Sequence, residues 1–202
     1  MFKYTIPRVL ISLFPSCTWK VKTWDKVIYL TFDDGPHPEI TPWVLSELQK
    51  HNAKATFFCV GDNVQKFPAV YEEILSAQHA TGNHTMHHVK GWQLSDSQYL
   101  NEINKASGLI QSKLFRPPYG RIKLSQLKKL RLNYKVIMWS KLSRDYDANL
   151  NILESISAMK QINSGDIIVF HDSEKAFPQL KQLLPALLAH YSNLGFRMEV
   201  LT

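Results

Sequence analysis

Strand-like and helix-like segments alternate regularly along this chain. Apolar runs typical of strands occupy residues 27–32, 54–60, 134–140, 166–171 and 196–201, with shorter candidates at 80–83 and 114–116. Neighbouring parallel strands need long crossover connections, which helices usually provide. The alternation therefore predicts an α/β fold with a parallel sheet, either open or closed into a barrel.

Recognisable helix beginnings lie between these runs. Thr41 is predicted to be an N-cap with Pro42 at the first helical position, and Pro68 begins a second helix. Ser95 and Gln98 have the spacing of a capping box at the start of a third helix. A last helix is predicted from apolar residues at helical spacing, namely Phe177, Leu180, Leu184, Leu187, Leu188 and Tyr191.

Length and composition predict a single domain over residues 1–202. The chain of 202 residues is within the size of about 200–250 residues that one barrel domain reaches, and no linker, low-complexity tract or repeat divides it. Its hydrophobic content of 45% excludes a disordered chain. Its two cysteines exclude a disulfide framework and a cysteine-based zinc site.

The N-terminal sequence MFKYTIPRVLISLFPSC only weakly resembles a signal peptide. Its apolar run between Pro7 and Pro15 is too short, so the segment is predicted to be the first structural part of the domain. No run of residues approaches the ~18–20 apolar residues of a membrane span. With no convincing export signal, the compartment stays open and the cytoplasm is the default expectation.

The net charge of +7 is unevenly distributed, because many basic residues and no acidic residue occur between Glu102 and Asp145. This basic stretch is either a face that attracts an anionic polymer or a membrane surface, or a solvated helix surface. The second interpretation is favoured, since a basic run without aromatic residues placed to read bases is poor evidence for nucleic-acid binding. We therefore expect no nucleic-acid partner.

Polar residues follow the predicted strands, at the edge where parallel α/β proteins place their sites. Asp33 and Asp34 end the first strand and precede Gly35. Adjacent residues of an extended chain point in opposite directions, so one carboxylate could face a metal and the other a reacting water. Alternatively, both aspartates only begin a turn, as Asp-Gly sequences often do. The stretch by itself does not decide between these alternatives.

Four of the eight histidines lie within residues 79–88. If residues 83–88 form a helical turn, His84 can share a face with either His88 or His87, so spacing leaves both pairings open. Two imidazoles and one carboxylate suit Zn²⁺ in a hydrolase, and the same set also suits the iron of a non-haem oxygenase. The cluster favours a metal site.

Two later strand ends carry further candidates. Arg116 is followed by two prolines and Tyr119, so a guanidinium that can bind a carboxylate lies near a backbone N–H that can bind an oxyanion. His171 ends a buried strand and is positioned as a general acid. Asp145 lies between these two sites in the sequence, next to Tyr146.

Taken together, these stretches resemble the polysaccharide deacetylases, the carbohydrate esterases with a NodB-homology domain. The resemblance covers nearly the whole chain from Val27 onward. Its five stretches occur in the order typical of that family: TFDDGP (31–36), HTMHH (84–88), RPPYG (116–120), WSKLSRDY (139–146) and VFHD (169–172).

The resemblance implies a distorted (β/α) barrel of about seven parallel strands and a metal-dependent hydrolase that removes acetyl groups from an N-acetylated carbohydrate. It implies one divalent ion, zinc or else cobalt or a similar metal, held by Asp34, His84 and His88. Asp33 is implied to be the general base, bound by Arg116. The remaining implied roles are an oxyanion-binding N–H and groove contact at Tyr119, a general acid at His171, its orienting carboxylate at Asp145, and groove walls at Trp139 and Tyr146.

Leu142 and Tyr146 replace the earlier aspartate and the later tryptophan that the family usually has in the fourth stretch. This departure concerns substrate preference more than chemistry. An O-acetyl esterase and a catalytically silent carbohydrate-binding protein are the alternatives within the same scaffold. In the family's spacing His87 does not ligate the metal, and His79 is expected to be an ordinary histidine at a helix end.

Overall fold

The computed structural model describes residues 4–202, and its strands form one parallel sheet. Along the main path the strands lie in the order β5-β4-β3-β2-β1-β7-β6, and β8 pairs in parallel with the first residues of β1. The strands are β1 Val27–Asp33, β2 Ala55–Cys59, β3 Ala80–Asn83, β4 Leu114–Phe115, β5 Lys135–Val136, β6 Lys141–Leu142, β7 Ile167–His171 and β8 Arg197–Met198.

The two ends of this path are consecutive in the chain, and this closes the sheet. Ile137, just after β5, donates its N–H to Phe115 of β4, whereas Ser140, just before β6, donates its N–H to Ile167 of β7. Residues 137–140 therefore bridge the two edges, which confirms the predicted distorted barrel with seven parallel strands on its path. The continuous strand predicted over 134–140 is wrong, because its two halves pair with opposite edges of the sheet.

Eight α-helices are described around the sheet: α1 Arg8–Leu13, α2 Ile40–Lys50, α3 Gly61–Lys66, α4 Pro68–Ser76, α5 Asp96–Ser107, α6 Leu124–Leu130, α7 Ile152–Met159 and α8 Phe177–Asn193. Pro68 occupies the first position of α4. The capping box of Ser95 and Gln98 is present in α5. Both of these predictions are confirmed.

The N-cap predicted at Thr41 is wrong. Helix α2 begins at Ile40, with Glu39 in the capping position. The Thr41 hydroxyl instead accepts a hydrogen bond from the His37 N–H and donates one to the carboxylate of Asp172. The Thr41 side chain therefore makes a tertiary contact with Asp172 and does not cap helix α2.

Strand β1 separates a helical layer on one side from the barrel interior on the other. Ile28, Leu30 and Phe32 are buried against the helices, and the Phe32 ring stacks on Phe57 with their centroids 5.1 Å apart. Successive side chains of a strand alternate between its faces, so Thr31 points into the barrel. The packing of the even-numbered residues thus fixes which carboxylate at the end of β1 faces inward.

The N-terminal segment packs along the closing side of the barrel. Tyr4 accepts a hydrogen bond from the Leu142 N–H, and Thr18 exchanges backbone hydrogen bonds with Val136 and Met138. The first three residues of the predicted N-terminal segment are outside the described range. Within residues 4–202, no helix combines the length and the apolar character needed to cross a membrane.

Candidate active site

The carboxyl ends of β1, β3, β4 and β7 converge on one pocket of about 540 Å³. This location is the one expected for a parallel α/β barrel. Most of the residues predicted for the site line this pocket: Asp33, Asp34, His84, His88, Tyr119, Trp139, Tyr146 and His171. Arg116 and Asp145 are fully buried behind it.

Asp33 is held by a buried guanidinium. Arg116 donates from one terminal nitrogen to Asp33 Oδ1 at 2.7 Å and to the Thr31 hydroxyl, also at 2.7 Å. Its other nitrogens donate to the carbonyl groups of Ile137 and Met138. Because these bonds fix the guanidinium from several sides, the carboxylate of Asp33 has one well-defined orientation at the pocket floor.

The burial of Arg116 makes this ion pair costly to disrupt. Burial lowers the pKa of Arg116 below its ordinary value, while the charge and hydrogen bond of Asp33 oppose that shift. The guanidinium also lies over the ring of Phe58, 4.1 Å from its centroid. A charge in this position is stable only with its carboxylate partner.

Asp34, His84 and His88 form a compact group of possible metal ligands. One ligand atom from each residue lies within 4.8 Å of the others. The Nε2 atoms of His88 and His84 are 3.2 Å and 3.8 Å from Asp34 Oδ1. The helical turn considered for residues 83–88 is not formed, since Thr85 and His88 have φ angles of 68° and 50°. A loop with left-handed residues brings the two imidazoles together instead.

The protonation of this group fits a divalent cation. His84 Nδ1 lies 2.7 Å from the carbonyl oxygen of Arg116, which can only accept a hydrogen bond. Nδ1 therefore carries the proton and Nε2 presents a lone pair toward Asp34. Burial lowers the pKa of His84 to about 4, so the ring is neutral.

Asp34 supplies the negative charge of the group. Burial opposes its ionisation, but the hydrogen bond with His88 and the charge of the nearby His171 imidazole outweigh burial and lower the pKa of Asp34. The result is an ionised carboxylate beside two imidazole nitrogens. This donor set is typical of zinc and related transition metals.

His87 turns away from the cluster. Its Nδ1 lies 2.8 Å from Glu102 Oε2, and its backbone N–H donates to the same oxygen. The side chain is about half exposed, at 52%. Of the two pairings left open by the sequence, the structure brings His88 to His84.

His171 has a carboxylate partner of its own. Its Nδ1 lies 2.7 Å from one oxygen of Asp145, and its backbone N–H donates to the other oxygen at 2.8 Å. Burial tends to lower the pKa of His171, but the Asp145 charge and hydrogen bond, with smaller contributions from Asp34 and Asp33, raise it to about 9. Nε2 is thus a protonated group available to the pocket.

Asp172 has a function in this site that sequence reasoning missed. Its carboxylate accepts hydrogen bonds from the Gly35 N–H at 3.1 Å and from the Thr41 hydroxyl. Burial raises the pKa of Asp172 to about 8. A Cβ atom at Gly35 would lie 2.1 Å from Asp172 Oδ2, so only glycine fits. Asp172 therefore holds the turn that follows Asp34, and its position directly after His171 was the only signal in the sequence.

Aromatic side chains form the walls of the pocket. The Tyr146 ring meets the His171 ring edge-on, with centroids 5.1 Å apart. Trp139 packs directly against Gly120. Tyr119 has a φ of 60° and a half-exposed side chain at the pocket edge. Leu142, which replaces the usual aspartate, adds an apolar surface.

Residues 20–136 match the family model described as polysaccharide deacetylase. The chain belongs to the polysaccharide deacetylase family. This deacetylase is 34% identical to a peptidoglycan-N-acetylglucosamine deacetylase of Bacillus cereus in an alignment of 189 residues that covers 89% of this chain and 88% of the relative. It is 33% identical to a chitooligosaccharide deacetylase of Azorhizobium caulinodans, covering 72% of this chain and 73% of the relative.

Solved structures of similar proteins have the same fold. A crystal structure of a peptidoglycan N-acetylglucosamine deacetylase superimposes with a TM-score of 0.87 at 27% identity, covering 96% of this chain and 94% of that one. The peptidoglycan deacetylase PdaC from Bacillus subtilis gives a TM-score of 0.74 at 29% identity, covering 88% and 89%. These likenesses confirm the predicted NodB-type barrel and the predicted hydrolase family. The role of each site residue stays a prediction.

Proposed function

We propose that this deacetylase is a metal-dependent hydrolase of N-acetyl groups on N-acetylglucosamine units of a polymer or oligomer, with residues 1–202 forming one catalytic domain. The observation that carries the proposal is that Asp33, His171 and the ligand cluster all face one pocket. The relatives named for peptidoglycan and chitooligosaccharide deacetylation support the substrate class.

In this proposal, Asp34, His84 and His88 hold one divalent ion, zinc in the first place and cobalt as the nearest substitute. The neutral His84, the ionised Asp34 and the mixed nitrogen and oxygen donors support this choice. When bound there, the ion supplies Lewis-acid chemistry, which polarises the acetyl carbonyl and lowers the pKa of water.

Asp33 acts as the general base. As water adds to the acetyl carbon, Asp33 accepts one of its protons, and the hydrogen bonds of Arg116 keep the carboxylate oriented for this transfer. The backbone N–H of Tyr119 donates to the carbonyl oxygen as negative charge develops on it.

His171 acts as the general acid. When the carbon–nitrogen bond breaks, its electron pair stays on the nitrogen, which takes the Nε2 proton of His171 and leaves as an amine. The other product is acetic acid, which ionises to acetate, and a proton returns from Asp33 to His171 through solvent. Asp145 favours the protonated form of the imidazole that this step needs. The opposite charge states of Asp33 and His171 provide the acid and base at one pH.

The groove walls orient the sugar. Trp139 and Tyr146 line the pocket with aromatic side chains, and the half-exposed Tyr119 adds a third. Apolar ring faces suit the C–H surface of a pyranose. Leu142 and Val169 give the pocket an apolar patch suited to the acetyl methyl group.

The test is an acetate-release panel with chitopentaose, peptidoglycan and acetylxylan, using protein stripped by a chelator and protein reloaded with zinc or cobalt. We expect metal-dependent acetate release from the N-acetylated substrates, with one new free amine for each acetate. Release from acetylxylan alone indicates an O-acetyl esterase. Binding of sugar without acetate release from any substrate indicates a carbohydrate-binding protein, and undiminished activity in the stripped protein contradicts the metal site.

A further inference from the structure

A row of rings leads outward from the ligand cluster. The Tyr119 ring lies 4.7 Å from the His88 ring, and the Trp92 ring follows, 5.5 Å from Tyr119 in an edge-on arrangement. Trp92 lies in the short 3-10 turn Gly91–Gln93, and its side chain is half-buried. The aromatic surface of the site therefore continues beyond the pocket that surrounds the ligand cluster.

Two cations lie on this outer part of the row. Lys90 Nζ is 5.8 Å from the centre of the Tyr119 ring, and the guanidinium carbon of Arg121 is 5.1 Å from the centre of the Trp92 ring. Both residues are exposed. Neither forms an ion pair with any carboxylate in residues 4–202, whereas Lys129 pairs with Asp96 on the neighbouring surface. The charges of Lys90 and Arg121 are thus available to a ligand.

These features together select a ligand chemistry. Aromatic faces pack against the C–H surface of any pyranose, neutral or charged. The charges of unpaired cations beside those faces add Coulomb attraction only for an anion, and a guanidinium suits a carboxylate in particular. A neutral polymer such as chitin makes no use of the two charges.

We propose that Trp92, Tyr119, Lys90 and Arg121 form an outer subsite for a pyranose that carries a carboxylate, next to the sugar whose acetyl group enters the pocket. The inference rests on the proposed deacetylase function and names its substrate class as an anionic glycan. Trp92 and Tyr119 support the sugar ring, and Lys90 and Arg121 bind the carboxylate. Arg121 belongs to the basic stretch between Glu102 and Asp145, so part of that stretch serves the substrate.

The test compares two double variants that remove the same charge. Lys90→Gln/Arg121→Gln alters the outer subsite, and Lys128→Gln/Arg131→Gln alters exposed residues on and just after helix α6. Both are assayed for kcat/KM on chitopentaose and on peptidoglycan glycan strands whose sugars carry carboxylates. Strands freed of peptide and strands with peptide distinguish a carboxylate on the sugar from one on the peptide.

We expect the outer-subsite variant to lose about tenfold in kcat/KM on peptide-free strands, mainly through KM, because each exposed ion pair contributes a factor of a few. Its activity on chitopentaose and both activities of the control should stay unchanged. High salt should reduce the loss in kcat/KM that the outer-subsite variant shows on peptide-free strands, because salt screens the charges. Trp92→Ala should lower kcat/KM for both substrates, since the ring packs against neutral sugars as well.

If the Lys90→Gln/Arg121→Gln variant loses kcat/KM equally on the neutral and anionic substrates, or on neither, the proposed subsite is overturned. A loss confined to peptide-bearing strands places the recognised carboxylate on the peptide and also overturns it. Equilibrium binding of peptide-free strands to the same variants decides the question independently of turnover. If no substrate releases acetate but the Lys90→Gln/Arg121→Gln variant binds these strands more weakly than the control, the proposed function fails while the subsite stands.

Discussion

Asp145 binds His171 at two points, with one carboxylate oxygen 2.7 Å from Nδ1 and the other accepting the backbone N–H at 2.8 Å. The double contact fixes both the position of the ring at the end of β7 and the nitrogen that stays free. It also stabilises the imidazolium, since burial alone would lower the pKa of His171 that Asp145 raises to about 9. One buried carboxylate thus provides geometry and protonation together.

This pair predicts a specific dependence of stability on pH. Because the pKa of His171 is raised from 6.5 to about 9, its contribution is complete below pH 6.5 and is lost as the pH rises through about 9. This contribution to the free energy of unfolding is about 3 kcal/mol at most, since one pKa unit corresponds to about 1.4 kcal/mol. Urea unfolding of the metal-free wild type and the Asp145→Asn variant should show a difference in unfolding free energy that shrinks across this window.

The pH dependence of kcat should also depend on the pair of Asp145 and His171. Loss of the Asp145 charge should move the alkaline limb of kcat to lower pH, because the acid loses its proton earlier. A stability difference that stays constant from pH 6 to pH 10, together with an unmoved alkaline limb, would contradict this role of Asp145.

The ligand cluster predicts unequal roles for three nearby histidines. His84→Ala and His88→Ala should lose the bound ion, because each removes one of three close donors. His87→Ala is the matched control and should keep it, since His87 contacts Glu102 instead. Metal content measured after dialysis against a weak chelator decides the matter. Loss of the ion in the His87 variant alone would mean that another arrangement of the loop binds the metal.

The buried pair of Arg116 and Asp33 predicts strong coupling. Arg116→Met should lower the unfolding free energy by about 3–5 kcal/mol, because it leaves a carboxylate buried without its cation. Arg131→Met at the exposed end of α6 is the control and should change it by less than about 0.5 kcal/mol. Adding Asp33→Asn to Arg116→Met should recover part of the loss in urea unfolding. If the two effects simply add, the ion pair does not account for the loss.

The close contact between Gly35 and Asp172 leaves no room for a side chain at position 35. Gly35→Ala would place a methyl group against the Asp172 carboxylate, so stability should fall by about 1–3 kcal/mol and metal affinity should fall with it. Gly108→Ala is the control, because its added Cβ would be 3.4 Å from its nearest neighbour. Thermal unfolding and metal titration of both variants provide the comparison. Equal behaviour of the two variants would show that Asp172 does not constrain the turn.

The sequence predicted the fold best where local periodicity decides the structure. The long buried strands β1, β2 and β7 and the capped helix α5 follow from patterns within single segments. The closing segment 134–140 does not, because its halves pair with strands that are distant in sequence. The apolar pattern of that segment is the same whether it forms one strand or bridges two edges of a barrel.

The site was predictable in its residue types and less so in its geometry. The order of the five stretches identified the residues that line the pocket. The loop that joins His84 to His88 depends on left-handed residues that are not glycine, which sequence patterns rarely reveal. The contact of Asp172 with Gly35 joins residues 137 positions apart, so no local signal exists for it.

The role of Asp33 is tested by acetate release from chitopentaose by wild-type protein and the Asp33→Asn variant, both loaded to the same measured zinc content. Because Asp33 accepts the proton of the attacking water, we predict that kcat falls by about 10²–10⁴ while zinc content and substrate binding stay unchanged. An Asp33→Asn variant that keeps its zinc and releases acetate at the wild-type rate would show that Asp33 is not the base of this site.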